Sequence, residues 1–124
     1  MNGKTVLTRL GILAAILSCA FASSALAWRP PNRSEHRAIT RAAKETPTAY
    51  PGKTVHVGGI HVSTVGPWAS AQITIYIDGS PDGAIDILHK VGGKWVNVDA
   101  GSSEEACVMP SRDRQNLGFT EPCS

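Results

Sequence analysis

The clearest strand pattern in the chain lies in residues 68–77, which read Trp-Ala-Ser-Ala-Gln-Ile-Thr-Ile-Tyr-Ile. Small and aliphatic side chains occupy every second position from Ala69 to Ile77, and polar or aromatic ones fill the positions between them. Because successive side chains of a strand point to opposite faces of a sheet, this alternation predicts a half-buried strand. The turn-forming residues 78–82 follow, so we expect the next strand to begin near Gly83.

A second turn is predicted at Gly92-Gly93, between residues 83–91 and residues 94–100. Glycine pairs suit two-residue hairpin turns, which need positive φ angles. On that register we expect these cross-strand pairs: Val91–Lys94, His89–Val96, Ile87–Val98 and Ile85–Ala100. We expect a helix to cover the face that carries these pairs, which would bury His89.

A helix is predicted before the sheet. Asn32 and Glu35 have the spacing of a capping box, and Pro47 ends the helical pattern after about Thr46. Its small apolar residues fall on one side, and the opposite side carries a basic stripe of Arg33, Arg37, Arg41 and Lys44. Small residues allow the helix to lie close to a sheet.

The N-terminus has the pattern of a secretory signal peptide. Residues 1–9 carry two positive charges and no negative ones, and residues 10–22 form an apolar run of 13. Small residues at Ala25 and Ala27 then match a cleavage site. The apolar run is too short to span a bilayer. We therefore predict a signal peptide over residues 1–27 and one small, secreted domain over residues 28–124.

Cys19 gives an alternative N-terminus. Residues 16–19 read Ile-Leu-Ser-Cys and resemble a bacterial lipoprotein box, in which the cysteine is lipidated. On that interpretation the protein is anchored to the cell surface by a lipid.

Two cysteines, Cys107 and Cys123, remain in the exported part of the chain. An even number of cysteines in an exported protein predicts a disulfide, the alternative being two free thiols. Pro110 and Ser111 favour the start of a short helix that Gly118 ends. The predicted fold class is α+β: one N-terminal helix on an antiparallel meander of three to five strands, with a short C-terminal helix or loop closed by the disulfide.

Residues 28–124 carry ten basic and ten acidic side chains, so their net charge is zero. This balance argues against a nucleic-acid-binding protein, which needs an excess of basic residues. The charges are unevenly distributed: residues 28–53 carry six basic and two acidic side chains, and residues 54–124 carry four and eight. The basic stripe on the helix has two interpretations. It either contacts an anionic lipid, cell-wall polymer or acidic partner, or it is an ordinary solvated face.

Residues 55–62 read Val-His-Val-Gly-Gly-Ile-His-Val and give the first candidate for chemistry. If Gly58-Gly59 were a hairpin turn, His56 and His61 would face each other and share a Zn²⁺ or Cu²⁺ with a further ligand. The alternative is one bent strand with a glycine bulge and two surface histidines.

Asp86 and Asp99 are the second candidate, because the Gly92-Gly93 register places them opposite each other on the face away from the helix. Like charges in that position raise a pKa, bind a cation or perform acid–base chemistry. The alternative is that both carboxylates are solvated near the end of the sheet.

Half of the chain resembles a known group. The residues that carry the resemblance are Val62-Ser63-Thr64-Val65, Trp68-Ala69-x-Ala71, Leu88-His89-Lys90, Gly93-Lys94-Trp95-x-x-Val98-x-x-Gly101, Cys107-x-x-Pro110, Leu117-Gly118 and Cys123. They resemble small exported proteins of unassigned function from high-GC Gram-positive bacteria. The resemblance implies a helix on an antiparallel sheet, laid out as in cystatin-like or NTF2-like domains, and implies no catalytic residues.

The expected function is binding. We predict a secreted, monomeric, non-enzymatic binding or accessory protein, inhibitor-like in type, that needs no cofactor and contacts an extracellular protein or cell-wall component. The expected contact surface consists of Trp68, Tyr76, Leu88, Lys90 and Trp95. The alternative is that the Cys107–Cys123 loop covers this face. The rival predictions are a metal-binding protein or enzyme built on the histidine or aspartate pair, and a lipid-anchored surface protein.

Overall fold

The computed structural model describes residues 27–45 and 52–124. Within them the elements follow the order α1 (Arg33–Lys44), β1 (Val55–Val62), β2 (Trp68–Ile77), β3 (Ser80–Val91), β4 (Lys94–Gly101), a 3₁₀ helix (Ser103–Val108) and α2 (Ser111–Asn116). The four strands form one antiparallel sheet in chain order. The predicted α+β class, a helix on an antiparallel meander with a C-terminal disulfide, is confirmed.

The start of α1 forms the predicted capping box. The Asn32 side chain accepts a hydrogen bond from the Glu35 N–H at 2.8 Å, and the Glu35 carboxylate accepts one from the Asn32 N–H at 2.9 Å. The guanidinium of Arg29 donates to both oxygens of the same carboxylate at 2.7 Å. Arg29 also pairs through its backbone with Val62 at the edge of β1. The chain before α1 is therefore tied to both the helix and the sheet.

One side of the sheet, called here the helix side, is covered by α1. The helix buries Ile39, Ala42 and Ala43 against it. The buried residues that meet them from the strands are Ile60, Val62, Ala69, Ala71, Ile73 and Leu88. Alanines on both surfaces keep the contacting side chains short, as the Ala-rich pattern of α1 predicted.

The faces of β3 differ from the prediction. A two-residue turn at Asp78-Gly79, with φ angles of 51° and 82°, pairs Ile77 with Ser80. This register places Ala69 opposite Leu88 and Ala71 opposite Asp86. The even-numbered residues of β3 therefore face the helix. The expectation that Ile85, Ile87 and His89 share the helix-covered face is wrong for this reason. They lie on the opposite side of the sheet, whereas Asp86 is buried on the helix side.

A bulge in β4 also changes the register of the second hairpin. The Gly92-Gly93 turn is confirmed, and Val91–Lys94 and His89–Val96 pair as predicted. Val98 is then an extra residue, since Leu88 pairs with Asn97 and the preceding Ile87 pairs with Asp99. The predicted pairs Ile87–Val98 and Ile85–Ala100 are therefore wrong.

The other side of the sheet, called here the tail side, carries the C-terminal segment, which comprises residues 103–124. The disulfide between Cys107 and Cys123 is confirmed, with Cα atoms 5.8 Å apart. A second buried cluster forms under this segment and consists of Trp68, Ile87, Ala106, Met109 and Leu117. The short predicted helix is α2, and Gly118 follows its end with a φ of 92°.

Hydrogen bonds fix α2 to the connection between β1 and β2. The Ser63 hydroxyl donates to the Asp113 carboxylate at 2.9 Å, where both residues are buried. The Thr64 N–H donates to Asn116 Oδ1 at 3.0 Å, and Asn116 Nδ2 donates back to the Thr64 hydroxyl at 2.8 Å. These contacts hold the C-terminal segment against the sheet, and the disulfide closes that segment on itself.

In the part of the chain that the structure describes, α1 and α2 are both too short and too polar to cross a bilayer. The predicted signal peptide and Cys19 lie outside the described residues.

Candidate binding trough on the tail side of the sheet

The five residues of the expected contact surface do not share one face. Trp68 and Tyr76 lie on the tail side, whereas Leu88, Lys90 and Trp95 lie on the helix side. Leu88 is fully buried under α1, and Trp68 is 8% exposed beneath the C-terminal segment. The sequence prediction failed here because it assigned the faces of β3 in the wrong phase.

The C-terminal segment leaves part of the tail side open, and this part is concave. Two hollows of about 140 and 320 Å³ lie there, and Gln72 and Ile85 line both of them. The other residues of the smaller hollow are Gly59, His61, Ser70, Leu117 and Phe119. Those of the larger hollow are Ile73, Thr74, Gly83, Ala84, Gly101 and Ser102. The two hollows are called here the trough.

Glycines produce the trough. On β1, Gly58 pairs with Gln72, and on β3, Gly83 pairs with Thr74. On β4, Gly101 pairs with Ile85. Paired residues of neighbouring strands project from the same face of the sheet. Each glycine therefore leaves the space next to its partner, which is Gln72, Thr74 or Ile85, without a side chain of its own. The result is a band across the four described strands in which few side chains rise above the backbone.

Tyr76 and His56 stand beside the larger hollow. His56 pairs with Thr74, and Tyr76 lies two residues further along β2 on the same side. Their rings meet edge to face with centroids 5.6 Å apart, and Tyr76 is 51% exposed. An exposed phenol next to an imidazole gives one end of the trough an amphipathic wall.

His61 closes the other end of the trough. Its ring stacks on the indole of Trp28 at 3.5 Å between centroids and 5° between planes. Burial lowers the pKa of His61 below its ordinary value of 6.5, because the charged imidazolium loses hydration there. The ring is therefore neutral at neutral pH.

The residues that line the trough are polar or apolar but uncharged, and a nearby carboxylate is that of Glu105, which lies 3.0 Å from where a Cβ on Gly101 would stand. Within the described residues, no Asp, Glu, Lys or Arg lines either hollow. The Gln72 amide and the Thr74 hydroxyl both donate and accept hydrogen bonds, and Phe119 and Ile85 add apolar surface. This combination suits a neutral ligand that has hydroxyl or amide groups on an apolar frame.

The histidine pair predicted as a metal site is not brought together. The structure shows one strand, β1, in which Gly59 and Ile60 form a bulge, so His56 and His61 do not face each other. The bulge keeps both histidines on the tail side. The aliphatic residues beside them lie on the helix side, namely Val55, Val57, Ile60 and Val62. Among residues 27–45 and 52–124, no three His, Cys, Asp or Glu side chains are grouped closely enough to hold a metal ion.

The aspartate pair is also separated. Asp86 pairs with Ala100 on the helix side and is fully buried, whereas Asp99 pairs with Ile87 on the tail side. The bulge at Val98 causes this difference from the prediction. Asp99 instead hydrogen-bonds to Glu105 and raises the pKa of that carboxyl.

His89, predicted to be buried beneath the helix, lies on the tail side. Its ring stacks on the indole of Trp68 with centroids 4.0 Å apart and planes 8° from parallel. His89 also pairs with Val96 across the strands, and its side chain is half-buried.

Sequence reasoning missed the trough because its glycines come from three different strands. The available signal was a set of glycines at positions 58, 83 and 101 that the strand pairing aligns with Gln72, Thr74 and Ile85. That alignment depends on the Asp78-Gly79 turn and on both bulges, which the alternation of residues along each strand does not determine.

No protein-family description, curated protein or solved structure matches this chain. The resemblance to small exported proteins stays a prediction.

Proposed function

We propose that this chain is a secreted, non-enzymatic binding protein whose trough holds a short neutral oligosaccharide. The observation that carries the proposal is the lining of the trough, in which uncharged hydrogen-bonding groups alternate with apolar surface and glycine leaves room above the backbone. Sugars present hydroxyl groups at their edges and apolar C–H groups on their faces, which is the complementary pattern.

The backbone favours a sugar over an extended peptide. The central strands β2 and β3 are paired on both edges, so their N–H and C=O groups are already used. A peptide that binds by strand addition needs an open edge. Side chains must therefore supply the specific contacts in the trough, and Gln72 and Thr74 are the central ones.

Secretion is part of the proposal. Its support is the signal-peptide pattern of residues 1–27 and the Cys107–Cys123 disulfide, which is a type of bond that persists in oxidising compartments. The lipid-anchored alternative through Cys19 requires the same export and differs only in processing.

A substitution that fills the trough tests the proposal. Gly83→Val adds a side chain to the floor, and its Cβ would meet only the Ile73 carbonyl oxygen at an ordinary 3.9 Å. We expect chitotriose or maltotriose to shift the NMR signals of Gln72, Ile85 and Phe119. We expect Gly83→Val to weaken that binding about tenfold or more, or about 1.4 kcal/mol.

The matched control is Ser80→Val, an exposed position on the same strand that lies outside the trough. It should bind both sugars as the unmodified protein does. Equal binding by Gly83→Val, signals that shift only outside the trough, or no response to either sugar would each overturn the proposal.

A further inference from the structure

The basic stripe of α1 forms a row of cations on the exposed side of the helix, inclined to the helix axis. Arg33, Arg37, Arg41 and Lys44 are all exposed. Four residues of helix rise about 6 Å, so the three arginines are spaced at about that interval. The apolar side of α1 is packed on the sheet, which fixes the direction in which this row points.

Among the described residues the row is not neutralised by ion pairs, although Glu45 follows Arg41 by four residues and Lys44 by one. Within the described part of the chain, none of the four side chains forms an ion pair. Glu35, the acidic residue in the first turn of α1, is held by both nitrogens of Arg29. That contact lowers the pKa of Glu35 to about 2, so the carboxylate stays bound to Arg29 rather than screening the stripe.

A hollow continues the stripe at its C-terminal end. It has a volume of about 380 Å³ and lies between the second half of α1 and the β3–β4 hairpin. The described residues that line it are Ala38, Arg41, Ala42, Glu45, Gly93, Lys94 and Trp95. Arg41 belongs to both features, and Lys94, which precedes Trp95 in β4, also lines the hollow. The ammonium of Lys90 lies 5.9 Å from the centroid of the Trp95 ring. This hollow is called here the Trp95 hollow.

We propose that the stripe and the Trp95 hollow together bind a linear acidic polysaccharide. The arginines take the regularly spaced anionic groups of the polymer, and the Trp95 hollow takes one sugar ring against the indole. A row of cations along the exposed side of a helix is complementary in charge to a polymer that carries anionic groups along its length. The trough lies on the other side of the sheet, so this inference is independent of the proposed function.

A lipid bilayer is the less suitable occupant. Helices that bind membrane surfaces insert an apolar face between the lipids. In α1 that face is already buried, since Ile39 and Ala43 have no exposed surface. Electrostatic attraction alone would remain, and it would not use the Trp95 hollow.

The test uses protein purified after expression of the full chain. Binding is measured to dextran sulfate, to polygalacturonate and to neutral dextran over a range of salt concentrations. We expect binding to at least one acidic polymer to exceed binding to dextran, which is uncharged and tests the trough alone. The preferred acidic polymer tells whether sulfate or carboxylate is recognised. Arg37→Gln tests the stripe, Lys94→Gln tests the Trp95 hollow, and Lys53→Gln removes an exposed charge outside both.

We expect Arg37→Gln and Lys94→Gln each to weaken polymer binding about three- to fivefold and to reduce the salt slope by about 1. Lys53→Gln should leave both quantities unchanged. An equal loss in Lys53→Gln, no preference for acidic polymer over dextran, or tighter binding to phosphatidylglycerol vesicles than to both acidic polymers would overturn the inference.

Discussion

At the scale of single residues, Gly66 is the described glycine with the least room for a side chain. It lies in the β1–β2 connection, and a Cβ atom built there would collide with the carboxylate of Asp113, including its Cγ at 2.8 Å. Asp113 is buried and accepts a hydrogen bond from Ser63. The carboxylate cannot move without losing that bond, so the absence of a side chain at Gly66 is a packing requirement.

Gly66→Ala should therefore destabilise the protein by about 1–3 kcal/mol, because the added methyl group overpacks a site that is fixed by hydrogen bonds. Urea denaturation measures the change. Gly58→Ala is the matched control, since no heavy atom lies within 4 Å of the Cβ it would add. Equal effects of the two substitutions would contradict the packing argument.

Glu35 gives the molecule a predictable response to acid. Its contacts with Arg29 and Asn32 lower its pKa from 4.5 to about 2. A carboxyl whose pKa is lower in the folded state stabilises that state above its unfolded pKa. The stabilisation is lost as the pH falls from about 4.5 toward about 2, where the carboxylate becomes protonated in the folded protein as well.

Glu35→Gln isolates this contribution, because glutamine can still cap Asn32 but cannot pair with the charge of Arg29. We expect the unmodified protein to be more stable by about 1 kcal/mol at neutral pH, a modest value since Arg29 is partly exposed. Urea denaturation across pH, which leaves the ion pair unscreened, should show the difference shrinking below pH 4.5. A difference that does not change with pH would contradict the ion-pair explanation.

At the scale of elements, the sequence predicted the helix ends and the turn that depend on residues close together in the chain. The Asn32–Glu35 spacing gave the start of α1, and Gly92-Gly93 gave the β3–β4 turn. The end of α2 at Gly118 also followed from a glycine in a left-handed conformation. Each of these features depends on contacts within about four residues of the chain.

The register of β3 depended on a choice that the sequence pattern did not settle. Residues 78–82 all favour turns, and a turn of two residues or of five puts the side chains of β3 on opposite faces. The shorter turn at Asp78-Gly79 places Leu88 in the helix-side core and Ile87 in the tail-side cluster. Both faces of the sheet are covered, so apolar residues on either side of β3 were compatible with burial.

The disulfide stabilises the C-terminal segment as a unit. Replacing Cys107 and Cys123 by serine should cost about 3 kcal/mol, the chain-entropy value for a loop of this length. Loosening of the segment would also expose Trp68, so its fluorescence should shift to the red. Denaturation followed by fluorescence measures both effects, and the reduced unmodified protein should match the variant. An unchanged midpoint would contradict the prediction.

At the scale of the whole molecule, processing determines which chain reaches its destination. We expect intact-mass analysis of protein from the culture medium to show a chain that starts at Trp28 and is lighter than its reduced form by two hydrogen atoms. Trp28 then stacks on His61 as the first residue. A diacylglycerol on Cys19, or a start elsewhere, would contradict the predicted cleavage site.

The candidate sites could be predicted only in part, because one of them is built from residues far apart in the chain. The basic stripe of α1 followed from helical periodicity alone, since its members lie on one element. The trough combines residues from β1, β2, β3, β4 and the C-terminal segment. Its prediction needs the full set of strand pairings, and two of the three pairings contain a bulge.

Both bulges lie on the outer strands of the sheet, at Gly59-Ile60 of β1 and at Val98 of β4. An interrupted outer strand cannot offer a regular ladder of hydrogen bonds to another molecule. The bulges thereby oppose edge-to-edge pairing of the sheets of two molecules, along β1 as well as along β4. Concentrated solutions of this protein should accordingly resist the growth of amyloid fibrils, even though β4 exposes two valines, Val96 and Val98.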